Sequence, residues 1–217
     1  MQKKIESLLF SDRLRAAISW AWTVFTRKAG NGLLPINKEA SMQLQYAYVL
    51  QQILPLIIFK SDEKAGIELE TSMNVEEATK EVDLLLKGKS NKGTCNIAVE
   101  MKCYKTKSAS GGLRGATDIF MKDVYEDLML LELYVEKGRA DKGVSLVMND
   151  LERLVNPKNK DAKCWEFDIS HNNKTKKNIH LETPIGGKAI SIHLKKAYNF
   201  FWKKHGEYWF MEIEGKS

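Results

Sequence analysis

The segment EVDLLLKGKSNKGTCNIAVEMKCY, residues 81–104, decides the fold that this sequence predicts. Two stretches rich in aliphatic residues flank the polar, glycine-containing KSNKG, a pattern typical of two strands joined by a hairpin loop. Side chains of a strand point alternately to its two faces. In CNIAVEMKCY one face carries Ile97, Val99, Met101 and Cys103, and the other carries Ala98, Glu100, Lys102 and Tyr104. Glu100 and Lys102 therefore point in the same direction.

Helices and further strands are expected on both sides of this hairpin. Apolar residues at helical spacing predict one or two helices over residues 5–26 and another over 38–54, with Asn37 as its N-cap. GIELETSM (66–73) is expected to be a strand, and the acidic stretch after it is compatible with a helical turn. A helix over residues 116–136 has the apolar stripe Phe120, Val124, Leu128, Leu131 and Val135, and the strand GVSLVM (143–148) follows. This order predicts an α/β fold with a central mixed β-sheet flanked by helices.

The C-terminal part of the chain, about residues 150–217, extends this core. Residues 151–179 are polar and rich in lysine, so we expect loops there. AISIHL (189–194) is expected to be a strand, and KKAYNFFWKKHGEYWFMEI (195–213) a helix followed by a strand. The aromatic residues of this last segment are expected in the core, with base stacking or a dimer interface as alternatives. We expect a single domain over residues 1–217.

The composition is that of an ordinary soluble domain. Of the 217 residues, 43% are hydrophobic and 29% are charged. No apolar stretch approaches the roughly 18 residues of a membrane span, so no membrane partner is expected. The cysteines, Cys95, Cys103 and Cys164, lack CxxC spacing, and the histidines are scattered. We therefore expect a cytoplasmic protein without disulfides and without a histidine-based metal site.

Basic charge is concentrated around the second strand of the hairpin. The chain has 34 Lys and Arg against 28 Asp and Glu, and between residues 87 and 114 there are seven basic residues and one acid, Glu100. Such an excess suits a polyanionic partner such as DNA. The candidate phosphate contacts are Lys105, Lys107 and Arg114, together with Lys174, Lys176 and Lys177 in the later HNNKTKKNIH.

Asp83, Glu100 and Lys102 are the candidate catalytic residues. Phosphodiester hydrolysis benefits from a hard cation such as Mg²⁺, which lowers the pKa of a water and is bound well by carboxylates. A lysine beside those carboxylates can assist the water or the scissile phosphate. The hairpin loop allows Asp83 to lie alongside Glu100. The alternative is a structural ion pair across the two strands.

Other acid-x-Lys triplets occur at Asp62, Asp161 and Glu214. The first two lie in polar segments and the third lies at the chain end. Only the triplet that begins at Glu100 follows a strand that itself carries an acid. This context favours Glu100 and Lys102 over the other triplets.

Through Asp83 and Glu100-Met101-Lys102 the sequence resembles the PD-(D/E)XK nuclease superfamily. The resemblance spans about residues 36–149 and implies a restriction-endonuclease-like core. It implies that Asp83, Glu100 and the backbone carbonyl of Met101 bind Mg²⁺, with Mn²⁺ as a substitute, and that Lys102 assists the water. Many members also carry a glutamate on the helix before the sheet, and Glu39 occupies a comparable place. Val82 stands where the family pattern has proline, and Glu68, Glu70 and Glu81 are rival acids, of which Glu68 or Glu70 could supplement or replace Asp83.

The expected function is that of a Mg²⁺-dependent endodeoxyribonuclease, restriction-like of type II. A repair, recombination or transposition nuclease of the same fold is the first alternative. A nucleic-acid-binding protein without catalytic activity is the second. Restriction enzymes of this fold commonly pair as homodimers, so a homodimer is also expected.

Overall fold

The computed structural model describes residues 6–75, 78–107 and 111–216. The first half contains helices α1 (Phe10–Gly30) and α2 (Glu39–Ile53) and strands β1 (Lys64–Val75), β2 (Ala78–Ser90) and β3 (Gly93–Tyr104). Helix α3 (Thr117–Glu136) then leads to β4 (Lys142–Asn149) and the single turn α4 (Glu152–Val155). Four short strands follow: β5 (Ile179–Leu181), β6 (Ile192–Leu194), β7 (Lys203–His205) and β8 (Tyr208–Ile213).

Six strands form one mixed sheet in the order β1-β2-β3-β4-β8-β7. Neighbouring strands are antiparallel except β3 and β4, which are parallel because α3 carries the chain back between them. Strands β5 and β6 form a separate two-stranded sheet. The predicted α/β fold, a central mixed β-sheet flanked by helices, is confirmed.

Helices cover both faces of the large sheet. Helices α1 and α2 share one hydrophobic core with the four apolar residues of β3 that were expected on one face, Ile97, Val99, Met101 and Cys103. On the opposite face, Ala98 packs with Leu131 and Tyr134 of α3. The predicted alternation along β3 is therefore confirmed. It places Glu100 and Lys102 on the face that α3 covers.

The central hairpin forms as predicted. Strands β2 and β3 pair from Leu84 opposite Val99 to Ser90 opposite Gly93, so that Asn91 and Lys92 make the turn. Gly93 has a φ of +121°, a conformation that favours glycine. The predicted strands GIELETSM and GVSLVM and the helix before GVSLVM are also present.

The start of α2 differs from the prediction. Its N-cap is Lys38 rather than Asn37. The hydroxyl of Ser41, inside the first turn, accepts hydrogen bonds from the backbone N–H groups of Asn37 at 2.8 Å and Lys38 at 3.0 Å. The N–H groups of Ser41 and Met42 donate to the Lys38 carbonyl at 3.1 Å, so the helix begins one residue later than predicted.

The prediction of a helix at the start of segment 195–213 is wrong. Tyr198, Phe200 and Trp202 are buried, whereas Asn199 and Phe201 between them are exposed. A burial period of two requires an extended chain, because a helix would bury residues three or four apart. The chain then turns at Gly206 between β7 and β8. The expectation that most of these aromatic residues lie in the core is confirmed.

The remaining predictions concern loops and the membrane. Residues 151–179 are mostly loop, as expected, with α4 and a 3₁₀ turn at Lys163–Phe167. The acidic stretch expected as a helical turn contains Glu76 and Glu77, which lie outside the described residues, as do residues 108–110 of the loop after β3. Within the described ranges, no helix is both long enough and apolar enough to cross a membrane.

Candidate active site

Asp83 lies where β2 and β3 stop pairing. The last paired residues are Leu84 and Val99, so Asp83 and Glu100 are the next residues along the two strands. The backbone N–H of Met101 donates to the Asp83 carboxylate at 2.6 Å. The carboxylate thus replaces the missing strand pairing and is held directly beside β3.

The backbone of β1 is distorted directly opposite Asp83. Glu70 has a φ of +49°, although Leu69 and Thr71 on either side pair regularly with β2. A positive φ is uncommon for a residue other than glycine and costs conformational energy. The Gln43 side chain, from α2, donates to the Glu70 carboxylate at 2.7 Å and to the Asp83 carbonyl at 2.6 Å. Glu70 and Gln43 therefore belong to the immediate surroundings of Asp83.

The side chain of Glu39, the first residue of α2, lies near the end of β3. Its carboxylate accepts a hydrogen bond from the backbone N–H of Cys103 at 3.2 Å and from the Lys102 ammonium at 3.4 Å. The structure therefore brings Glu39 to the same place as Lys102. All the candidate metal ligands predicted from the sequence, Asp83, Glu100, Met101, Glu39 and Glu70, lie within this one region.

Asp127 is a member of the site that sequence reasoning missed. It lies on α3, is 5% exposed, and its carboxylate is 3.4 Å from the Lys102 ammonium. A signal was present, since Asp127 follows Phe120 and Val124 and precedes Leu131 and Tyr134 on the buried face of α3. An acidic residue within the buried apolar face of a helix indicates that a polar or charged partner lies opposite it in the folded protein.

The surroundings raise the pKa of all four carboxyl groups of the cluster and of its one lysine. Burial, followed by the charges of Asp127 and Asp83, raises the pKa of Glu100 well above its usual value. Burial likewise raises the pKa of Asp127, Asp83 and Glu39. Burial alone would lower the pKa of Lys102, but the charges of Asp127, Glu39 and Asp83 outweigh it and raise that pKa. Lys102 therefore holds its proton more tightly than a free lysine, and each of the four acids holds its proton more tightly than a free carboxyl group.

The chemistry of the donor atoms suits a hard divalent cation. Oxygen Oε1 of Glu100 is buried without a hydrogen-bond partner, and the buried Oδ2 of Asp127 lies 3.4 Å from the Lys102 ammonium. Carboxylate oxygens are the preferred ligands of Mg²⁺ and Mn²⁺. Among residues 6–75, 78–107 and 111–216, however, no three His, Cys, Asp or Glu side chains are already arranged as a metal ligand set. In this arrangement Asp83 and Glu39 accept backbone N–H groups, and Lys102 neutralises Glu39 and Asp127.

Glu68 and the triplet that begins at Asp62 have other partners. Glu68 pairs with Lys87 at 2.5 Å on the exposed side of β1 and β2, and Glu81 is exposed. Glu63, in the triplet that begins at Asp62, forms a buried ion pair with Arg13 at 2.5 Å. These contacts separate the rivals from the cluster around Asp83, whereas Glu70 stays next to it.

The candidate DNA contacts fall into two groups. Lys107 and Arg114 are exposed on the loop after β3, where the Arg114 N–H donates to Thr106. Lys105, which also follows β3, donates to the carbonyl of Ile36 at 2.7 Å and is only half-exposed. Lys174, Lys176 and Lys177 are exposed on a different loop, which runs beside Tyr198 and Asn199.

Comparison with protein-family models, with curated proteins and with solved structures finds no match for this chain. Any assignment of function therefore depends on the geometry and chemistry of the cluster itself.

Proposed function

We propose that this chain is a divalent-metal-dependent nuclease that hydrolyses phosphodiester bonds of DNA. One observation carries the proposal: the end of pairing between β2 and β3 brings Asp83, Glu100 and Lys102 to one point. The carboxylates outnumber the single lysine, and one of their oxygens, Oε1 of Glu100, is buried without a hydrogen-bond partner. A buried excess of negative charge is costly unless a cation compensates it.

Each residue of the cluster has a role in this proposal. Asp83, Glu100 and the carbonyl of Met101 would hold Mg²⁺ or Mn²⁺, with Glu39 and Glu70 as nearby supporting acids. The bound cation would lower the pKa of a water and offset negative charge on the phosphate. Because its pKa is raised, Lys102 would act as a cation that orients the water or stabilises the phosphate, and not as the base that removes a proton.

The surroundings of the site support a nucleic-acid substrate. The loop that carries Lys107 and Arg114 begins directly after the strand that carries Lys102. Positive charge beside the acids would position DNA phosphates and offset repulsion from the carboxylates. Lys105, Lys174, Lys176 and Lys177 remain further candidate contacts.

The finer assignment is to a restriction-like endonuclease of type II with a restriction-endonuclease-like core. In such an enzyme two copies of the chain would each cut one strand, so we extend the proposal to a homodimer in the cytoplasm. A repair, recombination or transposition nuclease with the same site is the alternative. It would act on DNA ends or branched structures and not at fixed sequences of an intact duplex.

Supercoiled plasmid and linear DNA, each incubated with Mg²⁺ or with EDTA, test the proposal. We expect cleavage with Mg²⁺ only, and loss of cleavage in Asp83→Ala and Lys102→Ala. The matched control is Lys87→Ala, which removes an exposed lysine from the same hairpin and is expected to cut normally. Discrete fragments from linear DNA would support the restriction-like assignment, and cutting only at ends or branches would support the alternative. DNA binding that persists in EDTA without cleavage under any metal would overturn both.

A further inference from the structure

A groove of about 520 Å³ runs between helix α1 and the last strands of the large sheet, β7 and β8. This volume lies within the roughly 300–1,000 Å³ typical of ligand sites. One wall is the face of α1 from Arg15 to Arg27, a length of about 18 Å at 1.5 Å per residue. The opposite side carries Phe201, Lys203 and His205, which alternate along an extended chain and therefore point the same way. We call this feature the α1 groove.

The α1 groove is separate from the candidate active site. Glu100 and Lys102 lie on the face of the sheet that α3 covers, whereas the groove lies on the face that α1 covers. Strands β4 and β8 lie between β3 and β7 in the sheet. Of the described residues, those that line the groove do not include Asp83, Glu100 or Lys102.

One end of the α1 groove is basic. Arg27, near the end of α1, and Lys203, on β7, are both exposed. Burial, followed by the charges of Arg27 and Lys203, lowers the pKa of His205, as expected when two cations lie near an imidazole ring. Two cations beside a ring that can donate a hydrogen bond suit a phosphate group.

The other end of the groove carries two acids that already have a cationic partner. The guanidinium of Arg15 lies 2.8 Å from the carboxylate of Glu212 and 2.8 Å from that of Glu214. Glu214 is exposed, so its carboxylate can also accept a hydrogen bond from the amino group of a nucleobase. Between the two ends, the buried rings of Trp22 and Phe210 form an apolar floor, with centroids 5.7 Å apart.

Phe201 presents an aromatic ring at the rim of the α1 groove. It is 54% exposed, although Phe200 and Trp202 on either side of it are buried. Its ring contacts that of His171, with centroids 4.8 Å apart. An exposed aromatic ring beside cations is the combination that binds single-stranded DNA, because every unpaired base has a face that can stack. A base inside a duplex does not offer that face.

We propose that the α1 groove binds a single-stranded segment of DNA, with one base stacked on Phe201 and a neighbouring phosphate held by Arg27, Lys203 and His205. The groove is longer than one nucleotide, since phosphates follow each other at about 3.4 Å along a stacked strand, and this favours a strand over a free mononucleotide. The proposal does not depend on cleavage by the cluster around Asp83. Together with such cleavage, it would favour DNA ends and branches over an intact duplex as the substrate.

Fluorescence anisotropy of a labelled single strand of about 12 nucleotides, measured in EDTA so that no strand is cut, tests the role of Phe201. Phe201→Ala should weaken binding by about five-fold or more, the effect of losing one stacked base, and Phe201→Trp should bind at least as tightly as the wild type. Tyr48→Ala is the matched control, since Tyr48 is 64% exposed on α2, which contributes no described residue to the groove. It should change the affinity by less than about two-fold, because no base stacks there.

The same assay at several salt concentrations tests the basic end of the groove. Arg27→Ala should weaken binding and lower the slope of log affinity against log salt by about 0.7, the loss of one phosphate contact on a single strand. Lys28→Ala is the control, since Lys28 is exposed next to Arg27 but is not among the described residues of the groove. Its salt slope should equal that of the wild type.

Weaker single-strand binding by Phe201→Ala and Arg27→Ala, with normal binding by Phe201→Trp and both controls, supports the proposal. Unchanged binding by Phe201→Ala and Arg27→Ala overturns it. A deoxynucleoside monophosphate that binds as tightly as the strand also overturns it, because the ligand would then be a free nucleotide. Thermal unfolding of each variant shows whether it remains folded. All these outcomes are measured in EDTA, so they are distinct from the Mg²⁺-dependent cleavage that tests the proposed function.

Discussion

The ammonium of Lys102 lies 3.4 Å from the carboxylate of Asp127, a residue of a different element that comes later in the chain. The same ammonium lies 3.4 Å from Glu39, which belongs to a helix on the opposite face of the sheet. One lysine of β3 thus joins the helices of both layers at the proposed site. Its substitution is expected to affect chemistry strongly and the fold only moderately.

We predict that Lys102→Met reduces the rate of DNA cleavage by about 100-fold or more, the usual effect of removing one charge-stabilising group. The variant should still bind DNA in Ca²⁺, because the exposed basic residues remain. Gel-shift titration and single-turnover cleavage measure the two properties separately. Lys87→Met should change neither. A Lys102→Met variant that cleaves normally would remove Lys102 from the catalytic set.

Glu100→Gln is expected to abolish cleavage while making the metal-free protein more stable at high pH. Burial and neighbouring charges raise the pKa of Glu100 above 4.5, so the folded protein binds this proton more tightly than the unfolded chain does. Proton binding by Glu100 therefore stabilises the folded protein fully below about pH 4.5. This stabilisation is lost as the pH rises through the folded-state pKa. The amide side chain of the variant has no such proton to lose.

Urea unfolding in EDTA at about pH 5 and about pH 8 measures this effect. The stability of the variant relative to that of the wild type should rise between the two pH values, because only the wild type loses the Glu100 proton in this range. Asp123→Asn should show no comparable gain. Equal stability of wild type and Glu100→Gln at both pH values would contradict the predicted proton binding.

We expect the buried ion pair of Arg13 and Glu63 to stabilise the position of the N-terminal helix α1. Arg13 is 1% exposed, and it also donates to the carbonyl of Ile57 at 2.9 Å. Glu63→Ala leaves this guanidinium buried without its partner and should cost about 3–5 kcal/mol in the free energy of unfolding. Glu68→Ala, which breaks an exposed pair, should cost less than about 1 kcal/mol. Chemical unfolding compares the two, and similar losses would contradict the account.

The same pair predicts sensitivity to acid. Burial would raise the pKa of Glu63, but hydrogen bonds from Arg13 and from the N–H of Phe59 hold it below 4.5. A lowered pKa contributes stability that is present above about pH 4.5 and lost as the pH falls through the folded-state value. The difference in stability between the wild type and Glu63→Ala should therefore shrink below about pH 4. A constant difference down to about pH 3 would argue against this ion pair.

Gly206, in the turn between β7 and β8, packs against Gly30 at the end of α1. It has a φ of +59°, and an added Cβ would lie 1.9 Å from the carbonyl oxygen of Gly30. We expect Gly206→Ala to cost more than about 2 kcal/mol, from strain and from displacement of α1. Gly187→Ala is the control, since Gly187 has a φ of +74° but open space around it. Its cost should be about 1 kcal/mol, and equal melting temperatures for the two variants would contradict the contact.

The hairpin of β2 and β3 could be predicted because its signals are local: the alternation of side chains along the strand and the polar, glycine-containing loop between the strands. Alternation alone placed Glu100 and Lys102 on one face, and the tight turn placed Asp83 next to Glu100. Asp127 was not found, since its proximity to Lys102 depends on how α3 crosses the sheet. The extended segment around Phe200 was mistaken for a helix because its dense aromatic residues obscure the period of two that burial reveals.

The contacts of Glu70 and Gln43 around Asp83 could not be predicted from the sequence either. Glu70 combines a positive φ with a hydrogen bond from Gln43 of α2, a residue distant in the sequence. Neither residue has a local sequence pattern that signals such a distortion. Glu39 was anticipated from the resemblance to a nuclease family, and the structure brings it into contact with Lys102.

We propose that Asp83, Glu100 and Lys102 form a metal-dependent nuclease site. Single-turnover cleavage of a DNA duplex by excess protein, measured against Mg²⁺ concentration, tests it most directly. We expect a rate that rises and saturates with Mg²⁺ for the wild type and for Glu68→Gln, and a rate lower by about 1,000-fold or more for Asp83→Asn. Cleavage by Asp83→Asn at the wild-type rate, or cleavage that persists in EDTA, would contradict it.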